Sequence, residues 1–203
     1  MERVSVYIDG FNLYYGLCSK GWRRYLWLDV GKLANVLLNQ NQSLIDAKYF
    51  TALVRDDPAK EKRQSTYLQA LEEVGIVSIF LGRYQAKTKT CKTCKSSWRE
   101  YEEKMSDVRI SSELLRDAFL NKFDTAILVS ADGDLQPPID IIKEEFPKKK
   151  LVIAFPPDRD NPHLKNIVNS YFRIGRGRIA KCQLPLNIKK PNGYVLKKPK
   201  EWN

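Results

Sequence analysis

The chain has 203 residues, of which 43% are hydrophobic and 29% are charged, so it should bury an ordinary core rather than remain disordered. Lysine and arginine number 35 against 24 acidic residues, and the resulting net charge of +11 favours a polyanionic partner. The only histidine is His163, which excludes any mechanism that needs two catalytic histidines in one chain.

Cysteine usage and the N-terminal sequence bear on the cellular compartment. Four cysteines in a chain of this length are not typical of the disulfide framework of small secreted domains. Glu2 and Asp9 interrupt what would have to be the apolar region of a signal peptide. No apolar stretch approaches the roughly 20 residues that span a bilayer. We therefore expect a soluble, cytoplasmic protein with no membrane partner.

Apolar patterning alternates between strand-like and helix-like segments along the chain. Strands are predicted over Val4–Ile8, Ala47–Val54, Ile76–Leu81, Thr125–Val129, Leu151–Phe155 and Tyr171–Ile174. Helices are predicted over Leu28–Leu38, Pro58–Val74, Met105–Phe123, Ile139–Phe146 and Leu164–Val168. The polar segment Gln85–Ser97 is interpreted as a surface excursion. Strands that alternate with helices predict an α/β sandwich with a mostly parallel central sheet.

Basic residues concentrate at the C-terminal end. Residues 161–203 contain ten lysines and arginines and a single acid, Glu201. Lysine, proline and glycine dominate after Gly175, so we expect a domain over residues 1–178 and an extended basic tail over residues 179–203. Such a strip either neutralises phosphates, which makes binding strongly salt-dependent, or only aids solubility.

Aspartates follow two of the predicted strands. Asp9 ends the first strand, and Asp132 and Asp134 follow the fourth. Ligands of open parallel sheets bind outside the carboxyl ends of the strands, so these carboxylates converge if both strands are central and parallel. An Asp-Gly pair in this position is also an ordinary turn or helix cap, and each segment alone is a weak signal.

A third carboxylate lies on a predicted helix. Asp107 shares one helical face with Ile110, Ser111, Leu114 and Ala118. A carboxylate on an inward face needs a cation or a hydrogen-bond donor. An oxygen-rich cluster without histidine or thiol suits Mg²⁺ or Mn²⁺, which can activate water for attack on a phosphodiester. Asn12 and Ser130 are candidates for orienting that water or an aspartate.

Three segments carry a family resemblance: VYIDGFNLYYGL, EEKMSDVRISSELLRDAF and DTAILVSADGDLQPPI. In order and spacing they resemble the NYN domain branch of the PIN-like nucleases over about residues 3–174. The C-terminal LPLNIKKPNGYVLKKPKEW also looks like the segment that closes some bacterial members. The resemblance implies a Rossmann-like, three-layer sandwich and Mg²⁺- or Mn²⁺-dependent hydrolysis of RNA.

The resemblance also implies roles for individual residues. The family's metal-binding aspartates and its supporting asparagine and serine correspond to Asp9, Asp107, Asp132, Asp134, Asn12 and Ser130. Two departures do not remove a carboxylate: Ala131 stands for the usual glycine, and Met105-Ser106 stand for the usual Gly-Val.

Cys91 and Cys94 have the spacing of half a zinc knuckle. Zinc would need further ligands from Cys18, Cys182, His163 or a second subunit, and the alternative is two free thiols on a basic loop.

Several basic residues are candidates for nucleic-acid binding. Arg23 and Arg24 lie among aromatic residues that can stack on unpaired bases, Lys104 precedes Asp107, and Arg176 and Arg178 lie in a glycine-rich segment. That segment, Gly175–Ala180, formally matches a dinucleotide-binding pattern, but no βαβ unit follows it.

Three functions remain open from the sequence. The first is a metal-dependent ribonuclease, the second a non-catalytic RNA-binding module of the same fold, and the third a metal-dependent phosphatase. The oligomeric state is left open.

Overall fold

The computed structural model describes residues 1–55 and 57–202, with the side chains of 83–87 and 98–104 excepted. In this part of the chain a seven-stranded sheet has the order β4-β3-β2-β1-β5-β6-β7. Its strands are β1 (Glu2–Asp9), β2 (Gln42–Ala52), β3 (Ser78–Thr90), β4 (Ser97–Lys104), β5 (Thr125–Val129), β6 (Lys150–Phe155) and β7 (Ser170–Arg173). Six of these seven are parallel, and β4 runs antiparallel to β3 at one edge.

Helices cover both faces of the sheet. They are α1 (Gly10–Ser19), α2 (Val30–Val36), α3 (Pro58–Val74), α4 (Ser106–Phe119), α5 (Gln136–Glu145), α6 (Pro162–Ile167) and α7 (Arg176–Lys181). The first three and α7 contribute to one buried apolar cluster, and α4, α5 and α6 contribute to another. The predicted three-layer α/β sandwich is therefore confirmed. None of the helices in the described ranges is long and apolar enough to cross a membrane.

The central strand β1 contributes to both clusters because successive side chains of a strand point to opposite faces. Val4, Val6 and Ile8 lie in the cluster under α1–α3, whereas Tyr7 lies in the cluster under α4–α6. A parallel strand covered on both faces reads as a nearly continuous apolar run, which is why the sequence predicts it well.

Helix α3 has the predicted bounds. Pro58 occupies its first turn, and Asp57 caps it by accepting hydrogen bonds from the N–H groups of Ala59 and Lys60. Gly75 ends the helix in the left-handed conformation at φ 70°, which glycine adopts without steric cost.

The polar segment Gln85–Ser97, expected as a surface excursion, has regular structure, since it comprises the end of β3, the tip that follows and the first residue of β4. Strands β3 and β4 form a long antiparallel hairpin, with residues 91–96 at its tip. A ladder of backbone hydrogen bonds does not require apolar side chains, so a polar edge hairpin lacks the hydrophobic signal of a buried strand.

The expected extended tail over residues 179–203 is wrong. Within that segment α7 ends, a hairpin forms from β8 (Asn187–Lys189) and β9 (Val195–Lys197), and a final 3₁₀ turn covers Lys200–Trp202. The segment joins the core through buried Ile179, Cys182, Leu184, Leu196 and Trp202. One apolar side chain every few residues anchors the segment, while intervening lysines extend to solvent.

Candidate metal centre

The centre of the sheet positions two of the candidate carboxylates. Strand β1 pairs with β2 on one side and β5 on the other, so the strand order reverses between β1 and β5. Ile8 lies opposite Val129 in this pair, and the chain leaves both strands at the same edge of the sheet. Open α/β sheets bind their ligands at such a switch point.

Asp9 caps helix α1 and faces the turn after β5 at the same time. Its Oδ1 accepts a hydrogen bond from the N–H of Asn12 at 2.9 Å, and its Oδ2 accepts one from the hydroxyl of Ser130 at 2.9 Å. The residue is 5% exposed. A carboxylate has about four acceptor positions, so hydrogen bonding and metal ligation are compatible at one residue.

Gly10 allows α1 to lie close to the sheet. A Cβ atom at this position would lie 2.6 Å from the carbonyl oxygen of Phe50 and 2.7 Å from the ring of Tyr49. Burial, and then the negative charge of Asp9, raise the pKa of Tyr49 above its ordinary value. Tyr49 therefore lies beside Asp9 as a neutral phenol.

The turn after β5 connects Asp132 to Asp9 through Ser130. The N–H of Asp132 donates to Ser130 Oγ at 3.0 Å, and the same hydroxyl donates to Asp9. The N–H of Ala131 donates to Asn12 Oδ1 at 3.3 Å. Ser130 and Asn12 thus lie between the two acidic segments, where they fix the distance between them.

Asp107 reaches the same point from the other face of the sheet. It lies in the first turn of α4, and Asp9, Asp107 and Asp132 each offer a carboxylate oxygen within 4.8 Å of the others. Octahedral Mg²⁺ holds its ligands at about 2.1 Å, which separates oxygens on opposite sides of the ion by about 4 Å. The spacing and the all-oxygen donor set therefore fit a shared Mg²⁺ or Mn²⁺ ion.

Asp134 lies outside this group, as far as the described residues show. It is exposed on the 3₁₀ turn Gly133–Leu135, and its N–H donates to Asp132 Oδ1 at 3.0 Å. Its backbone orients Asp132, whereas a role of its carboxylate as a ligand stays a prediction.

A second acidic cluster, which the sequence analysis did not identify, fixes helix α4 to the sheet. Lys48 on β2 donates to Asp117 and to Glu113 Oε2, the latter at 2.8 Å, and the hydroxyl of Tyr7 donates to Asp117 at 2.8 Å. All four residues are buried. Burial opposes the charge on Lys48, but the bonds to Asp117 and Glu113 outweigh it and raise the pKa of Lys48.

The pKa of Asp117 is shifted down, whereas that of Lys48 is shifted up. Burial alone would raise its pKa, but the hydrogen bonds from Lys48 and Tyr7 lower it below the ordinary value. The cluster therefore holds an ion pair beneath α4, ten residues from the end of the helix that carries Asp107. No pattern in the sequence signals a buried lysine, because Lys48 is one of many lysines in the chain.

The two hairpin thiols lie at the tip between β3 and β4. Cys94 is exposed, and hydrogen bonds from Ser96 and Cys91 lower its pKa to about 7. Cys182 is buried in the core cluster. Among the described residues, the group of three or more potential ligands is the aspartate triad, so a zinc site at Cys91 and Cys94 stays a prediction.

Two of the candidate RNA-binding arginines, Arg24 and Arg176, lie together on one surface, beside Tyr25. Arg23 and Arg24 are exposed, and Arg24 and Arg176 both donate to the hydroxyl of Tyr25. Arg178 lies over the ring of Phe172, with 5.0 Å to its centroid. The side chain of Lys104 lies outside the described residues.

Comparison with known proteins identifies the family. The model of the NYN domain family matches residues 3–175. The protein belongs to the NYN domain family. This NYN domain is similar to the 6-hydroxy-3-succinoylpyridine 3-monooxygenase HspA of Pseudomonas putida, with 27% identity over 98% of the chain and 75% of HspA. It is also similar to the low amplitude and bright protein LabA of Synechococcus elongatus, with 25% identity over 91% of each protein.

A solved structure supports the fold of this NYN domain. The crystal structure of VPA0982 from Vibrio parahaemolyticus, described as a protein of unknown function, superposes with a TM-score of 0.60 at 23% identity. The match covers 86% of this chain and 94% of VPA0982.

The two departures from the NYN pattern have different consequences. Ala131 has a negative φ, so its side chain is accommodated without backbone strain. Met105, immediately before α4, has a φ of 83°, a left-handed conformation that favours glycine. The family glycine at this position therefore has a conformational reason, and this NYN domain begins α4 from a strained residue.

Proposed function

We propose that this NYN domain is a ribonuclease that hydrolyses RNA phosphodiester bonds with Mg²⁺ or Mn²⁺. The observation that carries the proposal is the convergence of Asp9, Asp107 and Asp132, which come from three separate segments, within 4.8 Å of one another. A site built from carboxylates alone suits a hard cation.

The three aspartates would hold the ion, and their neighbours would keep them in place. When bound, a divalent ion lowers the pKa of a coordinated water and stabilises charge on phosphodiester oxygens. The hydroxyl of Ser130 links Asp9 with the backbone of Asp132, and Asn12 Oδ1 accepts from the N–H of Ala131 in the same turn. These bonds keep the carboxylates in position without cancelling their charge.

The exposed arginines support RNA as the polyanionic substrate. The +11 charge of the chain favours a polyphosphate, and the exposed surface near Tyr25 carries Arg24 and Arg176. Contacts of this type make affinity fall steeply as salt rises, since each neutralised phosphate releases counterions.

Cleavage of a single-stranded RNA tests the proposal. Wild-type protein with Mn²⁺ should cleave it, chelator should stop cleavage, and Asp9→Asn or Asp132→Asn should lower the rate by at least about 100-fold. Replacing one carboxylate by a neutral amide removes a negative charge from a three-carboxylate site and with it much of the site's affinity for the ion.

Asp140→Asn is the matched control because Asp140 is an exposed aspartate on α5, outside the triad. It should cleave at the wild-type rate, and all variants should show cooperative thermal melts. Unchanged cleavage by both triad variants would refute the assignment.

The other two functions from the sequence analysis are outcomes of the same experiment. Salt-sensitive RNA binding without cleavage would identify a binding module. Hydrolysis of a generic phosphate ester in preference to RNA would identify a phosphatase.

A second candidate follows from the similarity to HspA, whose name describes a monooxygenase that acts on 6-hydroxy-3-succinoylpyridine. The similarity extends over 98% of this chain, so a small heteroaromatic acid is a substrate worth testing. Non-haem iron oxygenases, however, commonly use two histidines and one carboxylate, and this chain has one histidine. Incubation with 6-hydroxy-3-succinoylpyridine, ¹⁸O₂ and reduced nicotinamide or flavin, followed by mass spectrometry, would show whether any product carries oxygen from O₂.

A further inference from the structure

A cavity of about 330 Å³ lies next to the aspartate triad, at the same edge of the sheet. Gly10 and Phe11, which follow Asp9 directly, form part of its wall, and Thr51 and Val54 contribute from the carboxyl end of β2. A volume of this size lies within the range of small-molecule sites. None of the three aspartates is among the lining residues, so a ligand in the cavity would approach the metal centre from the side of Asp9.

One wall of the cavity is aromatic. Phe11, Tyr14 and Tyr15 line it from α1, and the rings of Phe11 and Tyr15 stack at an interplanar angle of 23° with centroids 6.2 Å apart. Tyr15 is 51% exposed and Tyr14 is 36% exposed, although both are large aromatic residues. Exposed rings of this kind form a surface on which an unpaired base can stack.

The opposite wall is basic. Lys60 and Arg63 line the cavity from the first turns of α3. The Lys60 ammonium lies 3.4 Å from Asp57, with a side chain that is 55% exposed. Arg63 has donors beyond the one that bonds Glu201 at 3.1 Å, since a guanidinium carries five N–H groups. Both side chains can therefore contact a phosphate without being buried.

The C-terminal turn completes the cavity. Trp202 lines it, is 8% exposed and packs edge-on against Tyr67 with the centroids 5.8 Å apart. The ion pair between Glu201 and Arg63 joins this turn to α3. The segment that the sequence suggested as a free basic tail thus forms part of a built pocket.

We propose that this cavity binds one unpaired nucleotide of the RNA substrate next to the cleaved bond. Its base stacks on the ring of Tyr15, and its phosphate contacts Lys60 and Arg63. The inference rests on the proposed ribonuclease function for the nature of the substrate. A base held in a duplex is already stacked and paired, so the pocket selects single-stranded RNA.

Binding measurements in the cleavage-defective Asp132→Asn background test the pocket separately from catalysis. The probes are a nucleoside 5′-monophosphate, a single-stranded RNA oligomer and the same oligomer in a duplex. Tyr15→Ala should weaken binding of the first two about tenfold, as expected for the loss of a stacking partner, and should leave duplex binding unchanged. Lys60→Ala should weaken the same two probes and flatten their salt dependence.

Tyr194→Ala is the matched control, because Tyr194 is also an exposed tyrosine, at 62%, and does not line the cavity. It should bind all three probes as the Asp132→Asn parent does. Equal binding by the Tyr15→Ala, Lys60→Ala and Tyr194→Ala variants would overturn the nucleotide pocket. A pyridine carboxylate serves as a fourth probe. If it binds in a Tyr15-dependent way and the nucleotide does not bind, the nucleotide pocket is overturned as well.

The outcomes separate the pocket from the proposed function. If wild-type protein cleaves RNA in a metal-dependent way and Tyr15→Ala does not change binding, the proposed ribonuclease function stands and the nucleotide pocket is refuted. Tyr15-dependent nucleotide binding without any RNA cleavage would support the pocket and refute the ribonuclease.

Discussion

Helix α4 carries two acidic clusters that the fold treats in opposite ways. In the middle of the helix, Glu113 and Asp117 are buried against the ammonium group of Lys48. At its N-terminal end, Asp107 meets Asp9 and Asp132 at the edge of the sheet. The donors to Asp9 from Asn12 and Ser130 are neutral, so these bonds orient its carboxylate without cancelling its charge.

The difference shows how one helix serves both structure and chemistry. Breaking a buried ion pair by removing one partner leaves an uncompensated charge in the core, so the Lys48 cluster holds α4 in a fixed position. That position brings Asp107 to the sheet edge. Three carboxylates that converge at the edge of the sheet suit a divalent cation, whereas those beneath the helix are paired with a lysine.

The largest effect is expected when Lys48 is removed. Lys48→Met removes the buried cation that Glu113 and Asp117 share and leaves each with only a partly exposed partner, Arg116 or Lys122. It should lower the free energy of unfolding by up to about 5 kcal/mol in a urea titration. Lys122→Met is the control, since the side chain of Lys122 is 41% exposed and lies 3.2 Å from the buried carboxylate of Asp117. Lys48 still pairs with Asp117 in this variant, so the loss should be smaller than for Lys48→Met. Equal losses would contradict the structural role of Lys48.

The same variant has a predictable pH dependence. The raised pKa of Lys48 gives stability that is present below the ordinary lysine pKa and is lost as pH rises through the raised value. The lowered pKa of Asp117 gives stability that is present above the ordinary aspartate pKa and is lost as pH falls through the lowered value. The difference between wild type and Lys48→Met should therefore be largest near neutral pH and shrink towards either extreme.

Added metal should stabilise the protein through the aspartate triad at the sheet edge and not through the buried cluster around Lys48. With Mn²⁺ at about 100 times its dissociation constant, binding to the native state should add about 2.7 kcal/mol to the free energy of unfolding. Asp9→Asn combined with Asp132→Asn should abolish this gain in a thermal melt with and without Mn²⁺. A gain of equal size in the double variant would show that the ion binds elsewhere.

A smaller effect is expected where α4 begins. Met105→Gly relieves the strain of a left-handed residue, and this gain outweighs the chain entropy that glycine adds to the unfolded state, so stability should rise by up to about 1 kcal/mol. Chemical denaturation measures this change. A loss of stability would contradict strain at Met105.

The sequence predicts best what depends on continuous local patterns. The buried run of β5 and the Pro58 and Gly75 signals of α3 give the observed elements. The prediction for the C-terminal segment is wrong because its buried residues, such as Leu196 and Trp202, are separated by lysines and prolines. Their spacing has no helical or strand period. Their burial depends on surfaces formed by distant parts of the chain.

The candidate site follows the same division. Asp9 and Asp132 were predictable because each follows a buried strand, and each also caps the helical turn after it, so the turn and the ligand interpretations apply together. Asp107 was predictable from its helical face. The position of Asp134 outside the group of three carboxylates and the aromatic cavity were not, because they depend on the direction of side chains around a short turn and on packing by the final residues.

An anomalous diffraction experiment on crystals soaked in Mn²⁺ tests the central claim most directly. The account predicts a peak between the carboxylates of Asp9, Asp107 and Asp132, at roughly 2.1–2.3 Å from an oxygen of each. A lysine or arginine side chain between those carboxylates, or a peak that avoids all three, would contradict it.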